Sequence, residues 1–364
     1  MSGSTGSHDD DKAREELQKI LSNPSKKEYP LQGGCPYVLQ EKLGNGMYGV
    51  VYRALHTEKG TTVAIKCSPN LDGEKCMSME MRREFAAFER LDSPGHPNVL
   101  RSEDRFMRLN YGYSFIVMPY FPDGDLYNYF TKLGDMPKEA RDKLIVNWTG
   151  QLVSALNYMH THRGVCHRDI KPMNILVNTS TGEVVICDFG LARRIPFERK
   201  KMVHFSPDGV FTVPYRPIEF LLDEDKHCPF EVDVWSMAVV VLEMLSCKTF
   251  FKSRVVESSP VIGGMQTPRK ERKNAYSDVG TMMTIFKLLG TPTEEYWPGV
   301  SQLKNWSPHF PKFPLCNIED HQRWRVRKVP TPVMAVLAKG LVLNPAKRGT
   351  AADLVAAFDA ASAK

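Results

Sequence analysis

Two short stretches carry most of the information in this chain: His-Arg-Asp-Ile-Lys-Pro-Met-Asn at residues 167–174 and Asp-Phe-Gly at residues 188–190. Asn174 and Asp188 supply amide and carboxylate oxygens, which are ligands that Mg²⁺ prefers in proteins. Any one of these polar residues alone would be interpreted as an ordinary turn residue. Because they occur together, in this order and after the elements described next, they predict a magnesium site.

A glycine-rich stretch lies upstream, with Gly44, Gly46 and Gly49 between two strand-like segments. Glycine lets the backbone approach phosphate oxygens closely and present its N–H groups to them. Alone, the pattern is weak, because it also fits a plain hairpin or a dinucleotide-binding turn. A dinucleotide site requires the glycines to open a helix. Here a strand follows, which favours a phosphate loop between strands.

Lys66 and Glu84 are each unusual in their surroundings. The alternation of a strand over Val63–Lys66 places Lys66 on the same face as the small Ala64. A helix at about 77–91 carries one apolar stripe, in which Glu84 is the only charged member; the stripe consists of Met77, Met81, Glu84, Phe88 and Leu91. A lone carboxylate there is costly unless it is paired. We therefore predict a Lys66–Glu84 ion pair, against the alternatives of a solvated lysine and a glutamate at the edge of the stripe.

Bulk composition excludes several classes of protein. The 364 residues are 42% apolar and 25% charged, which is typical of globular proteins and not of disordered, collagen-like or coiled-coil chains. The eight cysteines lack CxxC or His-x-His spacing, so we expect reduced thiols and not a zinc site or a disulfide framework. The net charge of +6 is mild, and no basic array interleaved with aromatics predicts nucleic-acid binding. No apolar run is long enough for a membrane span, and no leader is recognisable.

The order of elements predicts an α+β protein with two lobes. Residues 1–34 are expected to be a flexible extension that includes a short charged helix at 11–22. Residues 35–118 form a small antiparallel β-rich lobe with one main helix, 119–124 a connecting hinge, and 125–364 a larger, mostly helical lobe. Helices are predicted at 138–163, 231–246 and 278–289, and a last helix is capped by Thr350 with Asp353. A polar, basic insertion occupies about 252–275.

Over roughly residues 35–360, the sequence resembles the eukaryotic protein kinases, and within them the cyclin-dependent-kinase-like branch of the CMGC group. Besides the stretches above, the resemblance rests on 44–54, Gly290-Thr291-Pro292, Trp297-Pro298-Gly299, Phe310-Pro311-Lys312 and Asp233-Val234-Trp235-Ser236. It implies a bilobal kinase fold and a serine/threonine kinase that uses ATP and Mg²⁺, with protein substrates carrying Ser/Thr-Pro sites.

The resemblance also implies roles for individual residues. Asp169 would direct the substrate hydroxyl and accept its proton, and Lys171 would neutralise charge on the transferred group. Lys66 and Glu84 complete the catalytic set, Asn174 and Asp188 hold the metal, and Thr212 with Lys171 matches the serine/threonine type. The residues implied to contact ATP are Leu43, Gly44, Asn45, Gly46, Met47, Tyr48, Gly49, Val50, Val51, Ala64, Lys66, Met118, Pro119, Tyr120, Phe121 and Leu176.

Three further features follow from the same resemblance. Arg216 matches the arginine that shapes the pocket after the phosphoacceptor and favours proline there. Glu219 is expected to pair with Arg348 inside the large lobe, and the aspartate of the buried helix, Asp233, is expected to steady the catalytic-loop backbone. Three arginines match positions that grip an activation-loop phosphate, so phosphorylation should order that loop; they are Arg83, Arg168 and Arg193.

The departures from the family pattern leave alternatives open. Pro207 stands at the position of the usual activating threonine, and the switch uses the displaced Ser206, an acidic mimic such as Asp208, or no substitute at all. The helix around Glu84 differs from that of the cell-cycle members, so a cyclin-like activator and a cyclin-independent enzyme related to mitogen-activated kinases both stay open. An inactive scaffold is disfavoured by the intact catalytic set. The insertion contains Thr267-Pro268 and is either an autophosphorylation or docking site or a plain loop. We expect a cytoplasmic or nuclear protein.

Overall fold

The computed structural model describes residues 29–31, 35–46, 49–70, 76–108, 112–196, 212–224, 230–251, 278–321 and 328–364. The predicted helix at 11–22, the loop residues Met47 and Tyr48, the segment with Ser206 and Asp208, and the 252–275 insertion lie outside these ranges. The chain divides into two compact units. One comprises Met1–Pro122 with Cys187–Ala192, and the other comprises Asp123–Ile186 with Arg193–Lys364.

The first unit contains a six-stranded antiparallel sheet with the strand order β1-β2-β3-β4-β6-β5. Its strands are β1 (Tyr29–Pro30), β2 (Tyr37–Gly46), β3 (Gly49–His56), β4 (Thr61–Pro69), β5 (Asp104–Arg108) and β6 (Tyr113–Pro119). The glycine-rich stretch is the β2–β3 hairpin, in which Gly46 pairs with Gly49. At Gly49, φ is +155° and a Cβ would lie 2.6 Å from the carbonyl oxygen of Cys67 on β4, so this position requires glycine.

The two faces of this sheet differ in chemistry. One face is a hydrophobic core whose members include Tyr52, Ile65 and Phe115. The other face carries Lys66 and the single helix described in this unit, α1 (Met79–Leu91). The Ser78 side chain caps α1 by accepting a hydrogen bond from the Met81 N–H, and the predicted stripe is buried from Met81 to Leu91. Of that stripe, only Met77 precedes the helix, which begins two residues later than predicted.

The second unit is mainly helical. Its helices are α2 (Leu126–Asp135), α3 (Lys138–Asn157), α4 (Ile218–Leu222), α5 (Glu231–Ser246), α6 (Asp278–Leu289), α7 (Thr331–Gly340) and α8 (Ala351–Ser362). Two small antiparallel sheets join β8 (Ile175–Asn178) to β9 (Glu183–Ile186), and β7 (Val165–Cys166) to β10 (Arg193–Arg194). Across the described ranges, no helix is long and apolar enough to cross a membrane.

Most predicted helix limits in this unit are confirmed, and one is wrong. The α5 and α6 helices cover the residues predicted, and Thr350 with Asp353 forms a capping box at α8. The helix predicted over 138–163 instead ends as an α-helix at Asn157, and a π-helical turn continues it over Tyr158–His162. The π turn changes the hydrogen-bond register and so changes the direction in which the last side chains point. The predicted α+β class, with a β-rich unit bearing one main helix and a larger helical unit, is confirmed.

Candidate active site

In the first unit, Lys66 lies between two carboxylates. Its Nζ is 2.7 Å from Glu84 Oε2 and 3.1 Å from Asp188 Oδ1, so the predicted ion pair is present. The side chains of Lys66 and Glu84 are buried, whereas that of Asp188 is 42% exposed. Burial disfavours the ammonium charge, but the carboxylates of Glu84 and Asp188 outweigh it and raise the pKa of Lys66. The lysine is therefore a permanent cation near a carboxylate that still faces solvent.

The segment that carries Asp188 is fixed by its neighbours. The Phe189 ring is fully buried and meets Phe88 of α1 edge-on, with ring centroids 5.4 Å apart. Asp188 has a φ of +64°, a conformation that a non-glycine residue adopts at a cost. The buried aromatic contact stabilises this strained backbone and thereby holds the Asp188 carboxylate near Lys66.

In the second unit, Asp169 is the centre of a polar cluster. Its Oδ1 accepts a hydrogen bond from Thr212 Oγ1 at 2.8 Å, and its Oδ2 lies 2.6 Å from Lys171 Nζ. Lys171 also donates to Thr212 Oγ1 at 3.0 Å, which closes a triangle of three side chains. The cluster places a carboxylate, an ammonium group and a hydroxyl within hydrogen-bond distance of one another. This arrangement can direct a hydroxyl proton toward a carboxylate and neutralise an adjacent anion.

Asn174, one of the two predicted metal ligands, belongs to the same polar cluster. It ends a 3₁₀ turn over Pro172–Asn174, and its Nδ2 donates to the backbone oxygen of Asp169 at 2.9 Å and to Asp169 Oδ2 at 3.0 Å. Since Nδ2 is used as the donor in both bonds, the amide is oriented with Oδ1 as its remaining acceptor. An amide oxygen here and the half-exposed carboxylate of Asp188 in the first unit are hard ligands of the kind that Mg²⁺ takes beside phosphate oxygens. The donor chemistry fits magnesium.

The backbone before Asp169 is held by a buried carboxylate, as predicted. Asp233 of α5 accepts hydrogen bonds from the N–H groups of His167 at 2.6 Å and Arg168 at 2.7 Å, and lies 2.9 Å from His160 Nε2. Burial would raise the pKa of this carboxyl, but the hydrogen bond and charge of His160 and the backbone N–H groups lower it. These bonds stabilise Arg168 at a φ of +70°. The turn that precedes Asp169 is therefore held by hydrogen bonds to the buried helix α5.

Thr212 and the four residues after it form what we call the platform, residues 212–216. Its 3₁₀ turn over Val213–Tyr215 is anchored to α5, because Tyr215 OH donates to Glu243 Oε2 at 2.9 Å and Ser236 Oγ donates to the Tyr215 carbonyl at 2.9 Å. At the end of the platform, Arg216 Nη1 lies 3.0 and 2.9 Å from the two oxygens of Asp278.

The Glu219–Arg348 pair predicted from the sequence is also present. The two guanidinium nitrogens Nη1 and Nη2 lie 2.7 and 2.8 Å from the two carboxylate oxygens, and both side chains are buried. The paired fork geometry is the strongest form of this contact. It fixes α4, which begins two residues after the platform, to the last part of the chain.

The remaining predicted residues are distributed over both units. In the first, Arg83 lies half-buried on α1, Ala64 pairs with Met118, and Pro119 ends β6. In the second, Arg168 is buried, Arg193 pairs with Cys166 across β10 and β7, and Leu176 belongs to β8. The other residues implied to contact ATP occupy β2, β3 and the chain just after β6, and they are Leu43, Gly44, Asn45, Gly46, Gly49, Val50, Val51, Tyr120 and Phe121. Met47 and Tyr48 lie outside the described ranges.

Three residues that contact the site were missed in the sequence. Glu243 is the only acidic residue between Val234 and Met244 of the apolar α5 helix, and the reasoning applied to Glu84 would have found it. His160 lies in the π turn, which the helical pattern does not reveal. Asp278 is separated from Arg216 by 62 positions. Nothing in the local sequence indicates that contact.

Two comparisons with known proteins give matches over most of the chain. The model of the family "Protein kinase domain" matches residues 37–357. Among solved structures, the chain is similar to one in the CAK complex from Chaetomium thermophilum bound to ATP-γ-S. The two are 29% identical, the match covers 88% of this chain and 90% of that chain, and the TM-score is 0.70.

Proposed function

The chain belongs to the protein kinase domain family, as a cyclin-dependent-kinase-like member, and from that premise we propose that it transfers the γ-phosphoryl group of ATP to serine or threonine hydroxyls followed by proline. The observation that carries the proposal is the triangle of Asp169, Lys171 and Thr212. A hydroxyl of the chain itself already occupies the position beside Asp169 that a substrate hydroxyl would share. The ATP-γ-S in the similar complex supports the choice of nucleotide.

In the proposed reaction, the substrate hydroxyl oxygen forms a bond to the γ-phosphorus while the bond from that phosphorus to the β–γ bridging oxygen breaks. ADP leaves with the electron pair of the broken bond, and the hydroxyl proton passes to the Asp169 carboxylate. Lys171 neutralises charge on the transferred group, because its ammonium lies 2.6 Å from Asp169 Oδ2 and is thereby held at the reacting end of the cluster.

Lys66 is proposed to bind the phosphates of ATP. Its ammonium is oriented by Glu84 at 2.7 Å and lies near the exposed Asp188 carboxylate. Asn174 and Asp188 are the residues that would hold Mg²⁺, which supplies charge neutralisation on the phosphate oxygens when it is bound. Positioning and electrostatic stabilisation, and not covalent catalysis, then account for the rate.

The proposal is tested in an assay with radiolabelled ATP and Mg²⁺. It uses two peptides, Ser-Pro and Ser-Ala, that differ only in the residue after the phosphoacceptor. We expect the wild-type protein to phosphorylate the Ser-Pro peptide with the higher kcat/KM. The Asp169→Asn variant, which keeps the size of the side chain but removes its basicity, should lose most of kcat; positioned acid–base groups contribute about 10²–10⁴-fold. A variant at an exposed ion pair, Glu224→Gln, is the control. If the wild-type protein purified from native extract, together with any bound partner subunit, transfers no phosphate to either peptide, the chain is an inactive scaffold.

A partner subunit is the second part of the proposal. The similar solved chain is part of a complex, and we propose that a cyclin-like activator raises the activity of this chain. The measurement compares kcat of the isolated recombinant chain with that of the protein purified from native extract, and identifies co-purifying subunits by mass spectrometry. Equal kcat values and no cyclin-like subunit would favour the cyclin-independent reading.

A further inference from the structure

The contact between Arg216 and Asp278 has no counterpart among the contacts expected from the sequence. Arg216 Nη1 lies 3.0 Å from Asp278 Oδ1 and 2.9 Å from Oδ2, so one guanidinium nitrogen bridges both carboxylate oxygens. The guanidinium also lies 5.6 Å from the centre of the Phe220 ring of α4. The Arg216 side chain is 22% exposed and that of Asp278 is 51% exposed. The arginine is therefore held by a carboxylate and an aromatic face while its surface remains accessible.

Asp278 is suited to hold a cation in one place. It is the first residue of α6, where the partial positive charge of the helix N-terminus favours a carboxylate. The helix also fixes its backbone, because α6 is anchored by the buried side chains Thr281, Met282 and Ile285. Arg216 is the last residue of the platform, and the Tyr215 side chain just before it is hydrogen-bonded to α5. Asp278 therefore contributes to the direction of the guanidinium group.

We propose that Asp278 is a positioning residue for substrate selection: it aims the Arg216 guanidinium so that the adjacent surface accepts proline after the phosphoacceptor. This inference rests on the proposed function, in which Arg216 shapes that pocket. The platform connects the Asp169 cluster to Arg216, because Thr212 at its start contacts Asp169 at 2.8 Å and Arg216 is at its end. A change in the direction of the guanidinium therefore alters the surface around Arg216, four residues after Thr212. It leaves the contact between Thr212 and Asp169 unaltered.

The test is the isosteric Asp278→Asn variant, assayed with the matched Ser-Pro and Ser-Ala peptides. We expect kcat/KM for the Ser-Pro peptide to fall about fivefold, the size of effect that a partly exposed ion pair can supply. The loss should appear in KM for the peptide, whereas kcat/KM for Ser-Ala and KM for ATP stay at the wild-type values. A loss shared equally by the two peptides would mean that Asp278 is merely structural and would overturn the inference, as would an unchanged preference for proline.

Two further variants make the result specific to the pair. Arg216→Lys keeps the charge but not the planar guanidinium, and should reduce the preference for proline. In the Arg216→Lys/Asp278→Asn double variant the losses should not add, because both changes remove one interaction; additive losses would contradict the inference. Glu224→Gln removes an exposed pair of 2.9 Å with Lys304 and should leave the preference unchanged.

The outcomes also separate this inference from the function on which it rests. If the wild-type protein phosphorylates Ser-Pro and Ser-Ala peptides equally, proline direction itself is wrong. If the wild-type protein prefers proline and Asp278→Asn keeps that preference, only the inference about Asp278 fails. The thermal unfolding midpoint of each variant, compared with the wild type, confirms that the loss occurs in a folded protein.

Discussion

Replacing Arg348 by methionine should be among the most damaging single changes in the helical unit. Arg348 makes two short bonds to Glu219, and it donates to the carbonyl oxygens of Glu231 at 2.9 Å and Val342 at 3.1 Å. Its guanidinium also lies 5.0 Å from the centre of the Trp235 ring. Methionine fills much of the same volume but donates no hydrogen bond, so the variant isolates the loss of these polar contacts.

The expected loss in the free energy of unfolding follows from the polar groups that lose Arg348 as their partner. Glu219 is only 2% exposed, so its carboxylate becomes a buried charge without its cation. Breaking a buried pair in this way costs about 3–5 kcal/mol. The two carbonyl groups that lose a donor add roughly 1 kcal/mol each where no water replaces it. We expect the free energy of unfolding to fall by about 5–7 kcal/mol, a large share of the ~5–15 kcal/mol that native domains possess.

The assay is urea unfolding at pH 7, followed by tryptophan fluorescence, for both single variants and for Glu219→Leu/Arg348→Met. The double variant should be less destabilised than the sum of the two single variants, because it leaves no unpaired charge and hydrophobic replacement of a buried pair is often near neutral. Strictly additive losses, or a loss below about 1 kcal/mol for Arg348→Met, would refute the reasoning. Glu224→Gln, at an exposed pair, is the matched control and should cost less than about 1 kcal/mol.

Three further changes give distinct results. Burial raises the pKa of Glu243 to about 7, against hydrogen bonds that lower it, so its contribution to stability is greatest below about pH 4 and is lost as the pH rises toward 7. Glu243→Gln should remove that decline and gain stability relative to the wild type between pH 5 and 8 in urea titrations, whereas a constant difference would contradict it. Asp233 has a lowered pKa, so its contribution is present above about pH 4 and is lost as the pH falls below it; Asp233→Asn should be destabilised at pH 7, and the difference from the wild type should shrink in acid. At Gly340, a Cβ would lie 2.5 Å from Ala238 Cβ. Gly340→Ala should therefore lower the free energy of unfolding by about 1–3 kcal/mol. An unchanged thermal midpoint would contradict this, because it would show that α5 and α7 can separate without cost.

The contacts that could be predicted from the sequence are those in which one residue contradicts its local pattern. Glu84 interrupts an apolar stripe and Lys66 shares a strand face with alanine, so each needs a partner, and the pair follows from the cost of burying either alone. The cap of Thr350 with Asp353 is similarly predictable, because both partners lie within one helical turn. Local chemistry is sufficient in these cases.

Other contacts depend on information that no short window contains. Asp278 meets Arg216 only because the start of α6 lies beside the platform in the fold, and an aspartate at a helix start is otherwise an ordinary helix-terminal residue. The π turn over Tyr158–His162 has no periodic signature of its own, since it shifts the hydrogen-bond partner by one residue within an otherwise helical pattern. It is nevertheless the turn that brings His160 to Asp233.

The α5 helix sets the distance between two parts of the candidate site in its unit, because it carries a carboxylate that contacts each of them. Asp233 in its first turn fixes the backbone before Asp169, and Glu243 near its end fixes Tyr215 of the platform. Ten residues of helix separate these two carboxylates, a span of about 15 Å along the axis. One residue inserted between them would rotate the second carboxylate by about 100° relative to the first. The spacing along this helix is therefore as much a part of the candidate active site as the side chains of the Asp169 cluster.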